Sequence, residues 1–75
     1  MNSPRLANAA MILQQSNLLD DSREYALRGI AFNKNYFESY LVLYMNPNAS
    51  ESEKAMAMEN MKRLDPKNPD ILKYR

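Results

Sequence analysis

The sequence predicts an all-α fold of two antiparallel helix hairpins followed by one short helix. Three observations lead there. The chain carries a single glycine, Gly29, no threonine, and only Ile12, Ile30, Val42 and Ile71 as β-branched residues. Ala, Leu, Met, Glu, Lys and Arg are common, and these side chains lose least on entering a helix. Two stretches, "AFNKNYFESYL" (31–41) and "KRLDPKNPDILKYR" (62–75), each close one helix and open the next with almost no loop. They align at an offset of 32, with Phe32 on Leu64, Asn33 on Asp65, Glu38 on Asp70 and Tyr40 on Leu72.

The first helix opens at Ser3, a capping residue type, with Pro4 at the first helical position, where its missing N–H costs nothing. Leu6, Ala9, Ala10 and Leu13, with Ile12 beside them, form its apolar stripe, and it should stop near Ser16 or Asn17. The second helix is expected to start at "DDSRE", with Asp21 and Glu24 as a capping box. Its body, "REYALRGIAF", is apolar on more than one side. A helix of that kind packs between neighbours, so this one is expected at the centre of the domain. "NKN" (33–35) ends it.

The third helix, "YFESYLVLYM", is short, with Phe37, Tyr40, Leu41 and Tyr44 on one stripe. Pro47 disfavours helix at Asn46 and breaks it. Ser50 and Glu53 form a second capping box at the start of the fourth helix, which runs to about Leu64. Ala57, Met58, Met61 and Leu64 line its buried face, and Met56 lies off that stripe. Pro66 then pushes Asp65 out of helical geometry, Asn68 caps a new turn, and Pro69 fits its first position. A last helix from Pro69 to about Tyr74 follows.

With 75 residues the chain is one small domain, 1–75, and a fragment or tail of a larger protein is its expected context. It has no histidine and no cysteine, which excludes disulfides, ordinary zinc sites and His- or Cys-based triads. Its net charge is +1. A nucleic-acid binder carries a clear basic excess, whereas here Lys62, Arg63, Lys67, Lys73 and Arg75 are interrupted by Asp65 and Asp70 and read as a solvated face. The longest apolar run, "YLVLYM", is far short of the ~20 residues of a membrane span. "MNSPRL" opens no signal peptide.

Two hairpins at a period of about 34 residues have the form of a repeat architecture. "RLDPKNPD" resembles the end of a tetratricopeptide repeat. Counting from Leu6, the first unit matches that pattern, with Leu6 and Leu13 at large positions and Ala10, Ser22 and Gly29 at small ones. The second unit departs from it. Tyr44 and Lys54 stand where small residues are usual, and the unit is two residues short.

The last 40 or so residues also resemble the soluble tail that follows the final membrane span of O-antigen polymerase and ligase-like membrane proteins. The matching features are an "ASxxEK" helix start (Ala49, Ser50, Glu53, Lys54) and a closing "MxxLDPxNP" (Met61, Leu64, Asp65, Pro66, Asn68, Pro69). The resemblance implies an extracytoplasmic, periplasmic tetratricopeptide-like domain of a larger protein. Without it, a cytoplasmic module is the expectation. The family's catalytic part lies in its membrane region, so no catalytic residue is carried over.

No catalytic, cofactor-binding or metal-binding residue is expected. Asp20 and Asp21 precede a helix and read as capping residues. Glu51 and Glu53 favour the positive end of the fourth helix. Gly29 reads as a close helix contact, not a phosphate loop. What remains is an interaction surface. Tyr36, Tyr40, Tyr44 and Met56 are its candidates, because aromatic rings anchor interfaces and methionine adapts to varied partners. The expected function is a non-catalytic interaction or assembly module that meets a protein partner or a second copy of itself. A free-standing small adaptor is the alternative. A helix-turn-helix nucleic-acid binder is disfavoured by the charge balance.

Overall fold

The computed structural model describes residues 3–73. It has five helices, α1 (Ser3–Gln15), α2 (Leu19–Phe32), α3 (Phe37–Met45), α4 (Glu51–Leu64) and α5 (Pro69–Lys73), and no strand among the described residues. α1 and α2 form one hairpin, α3 and α4 the next; α3 also packs on α1 and α2, while α5 touches only α4. Tyr74, expected in the last helix, lies outside the described residues.

α1 buries Leu6, Ala7 and Ala10. Ile12, read with the stripe, is 61% exposed. Two residues along a helix is about 200° around it, so Ile12 points away from Ala10. The helix ends in a Schellman turn. Asn17 sits at φ 63°, the Leu18 amide donates to the Leu13 carbonyl at 2.8 Å, and the Asn17 amide donates to Gln14 at 3.0 Å. Asparagine tolerates this left-handed position better than most side chains.

That turn moves the start of α2. The helix begins at Leu19, before the expected Asp21 cap, and no side chain caps it. Asp20 and Asp21 fall inside its first turn, where their charge suits the helix dipole. The Schellman turn is a tertiary economy: it reverses the chain so tightly that Leu18 supplies the first helical carbonyl to Ser22. Ser22 is thereby buried, and its hydroxyl donates to the Ala10 carbonyl of α1 at 2.7 Å.

α2 buries a narrow stripe, Ser22, Ala26 and Gly29, and leaves Phe32 63% exposed. The centre of the domain is therefore α3, not α2. Five consecutive residues, Ser39 to Leu43, are buried there, so α3 is enclosed on nearly every side. α2 supplies small residues to the contact because backbones must come close for so short a helix to be covered. A Cβ on Gly29 would stand 2.8 Å from Ser39 Oγ and 3.5 Å from Leu6 Cβ. Gly29 is thus the meeting point of three helices.

The two stretches at offset 32 have the same backbone. Asn33 (φ −150°, ψ 102°) and Asp65 (φ −153°, ψ 78°) both leave helical geometry with closely similar φ. Each donates its amide four residues back, to Gly29 and Met61, and each carbonyl accepts the amide of the residue three on, Tyr36 and Asn68. Proline enforces the second break. The first relies on the Asn33 side chain, which accepts from the Asn35 amide at 2.9 Å.

Asn46 joins the hairpins. It is fully buried at the end of α3, donates from Nδ2 to the Leu19 carbonyl of α2 at 2.8 Å, and accepts the Asn48 amide on Oδ1 at 2.8 Å. α4 then starts on the expected capping box. Ser50 Oγ accepts the Glu53 amide at 3.1 Å and Glu53 accepts the Ser50 amide at 2.8 Å. Ala57 and Met61 are buried on α4, and Met58 and Leu64 are half-buried. Asn68 Oδ1 accepts the Asp70 amide at 2.9 Å and opens α5, whose Ile71 joins the core.

Stability measurements at Gly29 and Asn46 check this packing. Gly29→Leu should cost about 1–3 kcal/mol through overpacking and lower Tm clearly. Ser39→Ala removes the atom nearest the new Cβ, so Gly29→Ala should be more favourable in that background than in the native chain. Equal effects in both backgrounds would show that α2 and α3 are not in close contact there. Asn46→Ala removes the link to the Leu19 carbonyl and leaves the Asn48 amide without its partner, and should cost about 1–3 kcal/mol in urea unfolding. Asn46→Asp should fare no better at neutral pH, since a carboxylate would face the Leu19 carbonyl.

Candidate interaction surface

The four candidates do not form one patch. Tyr40 is 2% exposed and its hydroxyl donates to the Lys34 carbonyl. It belongs to the core, not to a surface. A buried tyrosine needs a partner for its hydroxyl, and the loop before α3 supplies it. Tyr36 is half-buried at the position just before α3, its amide held by the Asn33 carbonyl at 3.3 Å. Tyr44 is half-buried at the other end of that helix, about 12 Å away along the axis at the helical rise.

Tyr44 lines a shallow groove with Glu51, Lys54, Ala55 and Met58, of ≈ 320 Å³. The spacing of the last four, i, i+3, i+4 and i+7, sets them on one face of α4. Met56 is about 200° around the helix from Met58 and so faces elsewhere. It is half-buried against the core from the opposite flank. Met58, read from the sequence as a core residue, is the methionine that accompanies Tyr44. Its spacing from Lys54 and Glu51 was the available signal, but it becomes informative only once the end of α3 is known to lie beside that face.

The charged residues divide into committed and free ones. Glu53 serves twice. Beyond its capping role it receives a two-point contact from Arg23 of α2, with Nε on Oε1 at 2.9 Å and Nη2 on Oε2. One carboxylate thus caps α4 and ties it to α2. These hydrogen bonds, first those from Arg23 and then the Ser50 amide, hold the Glu53 carboxyl below its ordinary range. The same pairing raises Arg23 above its ordinary value.

Arg63, read as part of a solvated basic face, is engaged as well. It donates to Asn35 Oδ1 at 3.1 Å, to the Lys34 carbonyl at 3.0 Å and to Asn60 Oδ1, pinning the α2–α3 loop against the end of α4. Lys62, Lys67 and Lys73 are exposed. Arg28 pairs with Glu24 at 2.8 Å and lies 5.3 Å over the Tyr25 ring.

Asp20 and Asp21 border a second depression with Asn17, Leu18, Leu19 and Asn48. Asp20 accepts from Asn48 Nδ2 at 2.9 Å, so one of its acceptor positions closes the gap between the hairpins. Among the described residues no group of three or more acids assembles as a metal site, and no helix is long and apolar enough to cross a membrane. Comparison of the chain with protein-family models, with curated proteins and with solved structures found no match.

The Arg23–Glu53 contact makes stability depend on pH in a defined direction. The folded carboxyl has the lower pKa, so the unfolded chain binds its proton more readily. The contribution is complete above the ordinary glutamate value, about 4.3, and is lost as pH falls through the depressed folded value. Glu53→Gln should therefore lower Tm at pH 7, and the gap to the native chain should narrow on acidification below about pH 4. Parallel Tm curves over that range would contradict this account of Glu53.

Proposed function

We propose that the chain is a non-catalytic protein-interaction or assembly module of tetratricopeptide-like helix hairpins. The observation that carries this reading is the order of packing. α3 lies on α1 and α2 together, whereas α4 packs on α3 and meets α2 through the Arg23–Glu53 pair. That stepwise stacking is how helical repeats bury their apolar faces, each unit covering the one before it. The small residues Ala10, Ser22 and Gly29 support the reading, since all three are buried where helices meet.

Among the described residues the second unit has a face that no further hairpin covers. Such end faces are where repeat proteins must either become polar or meet something else. Here the end face keeps Tyr44 and Met58.

The proposed setting is the extracytoplasmic tail of an O-antigen polymerase or ligase-like membrane protein. Its support is the Ser50–Glu53 capping box and the Leu64–Pro69 turn, the features that carry the sequence resemblance.

The test is the state of the chain in the cells that make it. Cross-linking followed by blotting for the chain should recover it in a species larger than a free monomer. Resistance of that species to alkaline extraction from membranes would favour the tail, and a larger soluble species the free-standing adaptor. A free soluble monomer at every cross-linker dose would overturn the interaction reading.

A further inference from the structure

The face beside Tyr44 has a counterpart one unit earlier. In the second helix of each hairpin, an offset of 32 aligns Leu19 with Glu51, Ser22 with Lys54, Arg23 with Ala55 and Ala26 with Met58. In the first helices the two-residue shortening makes the offset 34, aligning Ala10 with Tyr44. In the first hairpin that face is covered. Ala10, Ser22 and Ala26 are completely buried, the Leu19 carbonyl holds Asn46, and Arg23 holds Glu53. In the second hairpin the same positions line the open groove. α5 does not fill it, since α5 touches α4 alone and the groove has no α5 residue in its lining.

The residues that differ say what can cover the groove. Small side chains in the first hairpin admit a closely packed helix. Tyr44, Lys54 and Met58 are too large for that approach, so a third unit stacked like the second does not fit. The charges point to another occupant. Glu51 and Lys54, one turn apart on α4, adjoin an apolar strip of Tyr44, Ala55 and Met58, and neither forms an ion pair among the described residues. One acid and one base beside an apolar strip make the face its own complement under a two-fold rotation, the commonest symmetry of small oligomers.

We propose that this groove docks against the same groove of a second copy, with Glu51 of each copy facing Lys54 of the other and the Tyr44 and Met58 side chains packed beside that contact. The inference rests on the interaction-module reading and names its partner. The strip is short, so the dimer is a weak one, formed at high concentration and sensitive to salt.

The test uses the purified chain and sedimentation equilibrium over a concentration series. The native chain should show a monomer–dimer equilibrium. Lys54→Glu gives a copy with two acids at the groove, and Glu51→Lys a copy with two bases. Each alone should associate about tenfold more weakly than the native chain. An equimolar mixture of the two should associate at least as well as the native chain, because each acid then meets a base. Circular dichroism melts establish that both variants are folded, and Ala55→Arg, at an exposed position in the same groove, should also weaken association.

A native chain that stays monomeric at millimolar concentration would overturn self-docking. So would variants that dimerise like the native chain, or a mixture that associates no better than its components. Recovery of the chain cross-linked to a different protein, with no self-association, would overturn the proposal while leaving the interaction-module reading in place.

Discussion

Enclosing a nine-residue helix on almost every side requires close backbones and a partner for each polar group carried inside. α3 meets the first condition, and the second at all but one side chain. The close approach comes at Gly29, where any side chain would meet Ser39 and Leu6. The polar groups are met from outside the helix: the Tyr40 hydroxyl by the Lys34 carbonyl, and Asn46 by the Leu19 carbonyl and the Asn48 amide. Ser39 Oγ is the exception, buried with no hydrogen-bond partner among the described residues. A small side chain is evidently worth more there than a satisfied one, because anything larger would separate α2 from α3.

The connections between hairpins follow from that enclosure. With α3 in the middle, α2 and α4 lie on either side of it and meet only through long side chains. Arg23 reaches Glu53 at the start of α4, and Arg63 reaches back to Lys34 and Asn35 near its end. The Lys34 carbonyl accepts from both Tyr40 and Arg63, so the loop before α3 is held from the core side and from α4 at once. A domain this small buries only ~60% of its unfolded surface, so such cross-links matter more here than in a larger core.

Local chemistry was the legible part of the sequence. The Ser50–Glu53 box, the Pro66 break and the Asn68 cap each depend on residues within three or four positions, and all three form as read. The start of α2 was not legible. Asp21 and Glu24 satisfy a capping pattern, but the Schellman turn at Asn17 supplies a tighter reversal and overrides it. Nor was the central helix. Apolar residues around α2 resemble enclosure, yet Phe32 is left exposed, while α3 is enclosed despite carrying Ser39 and ending on buried Asn46. The candidate surface fared likewise. Tyr40 and Tyr44 share a stripe, but only the packing tells that one ends in the core and the other at its edge. Met58 became a partner of Tyr44 through the fold alone, since the residues that unite them come from different helices.

α3, not the longer α2, is the most deeply held element. Native-state hydrogen exchange reads this directly, because buried, cooperatively held amides exchange only when the whole domain opens. The amides of Leu41 to Met45 should exchange with the free energy and urea dependence of global unfolding. Those of α5 and of the first turn of α1 should exchange through smaller, local openings. Slowest exchange in α2, with α3 opening locally at lower free energy, would contradict the account.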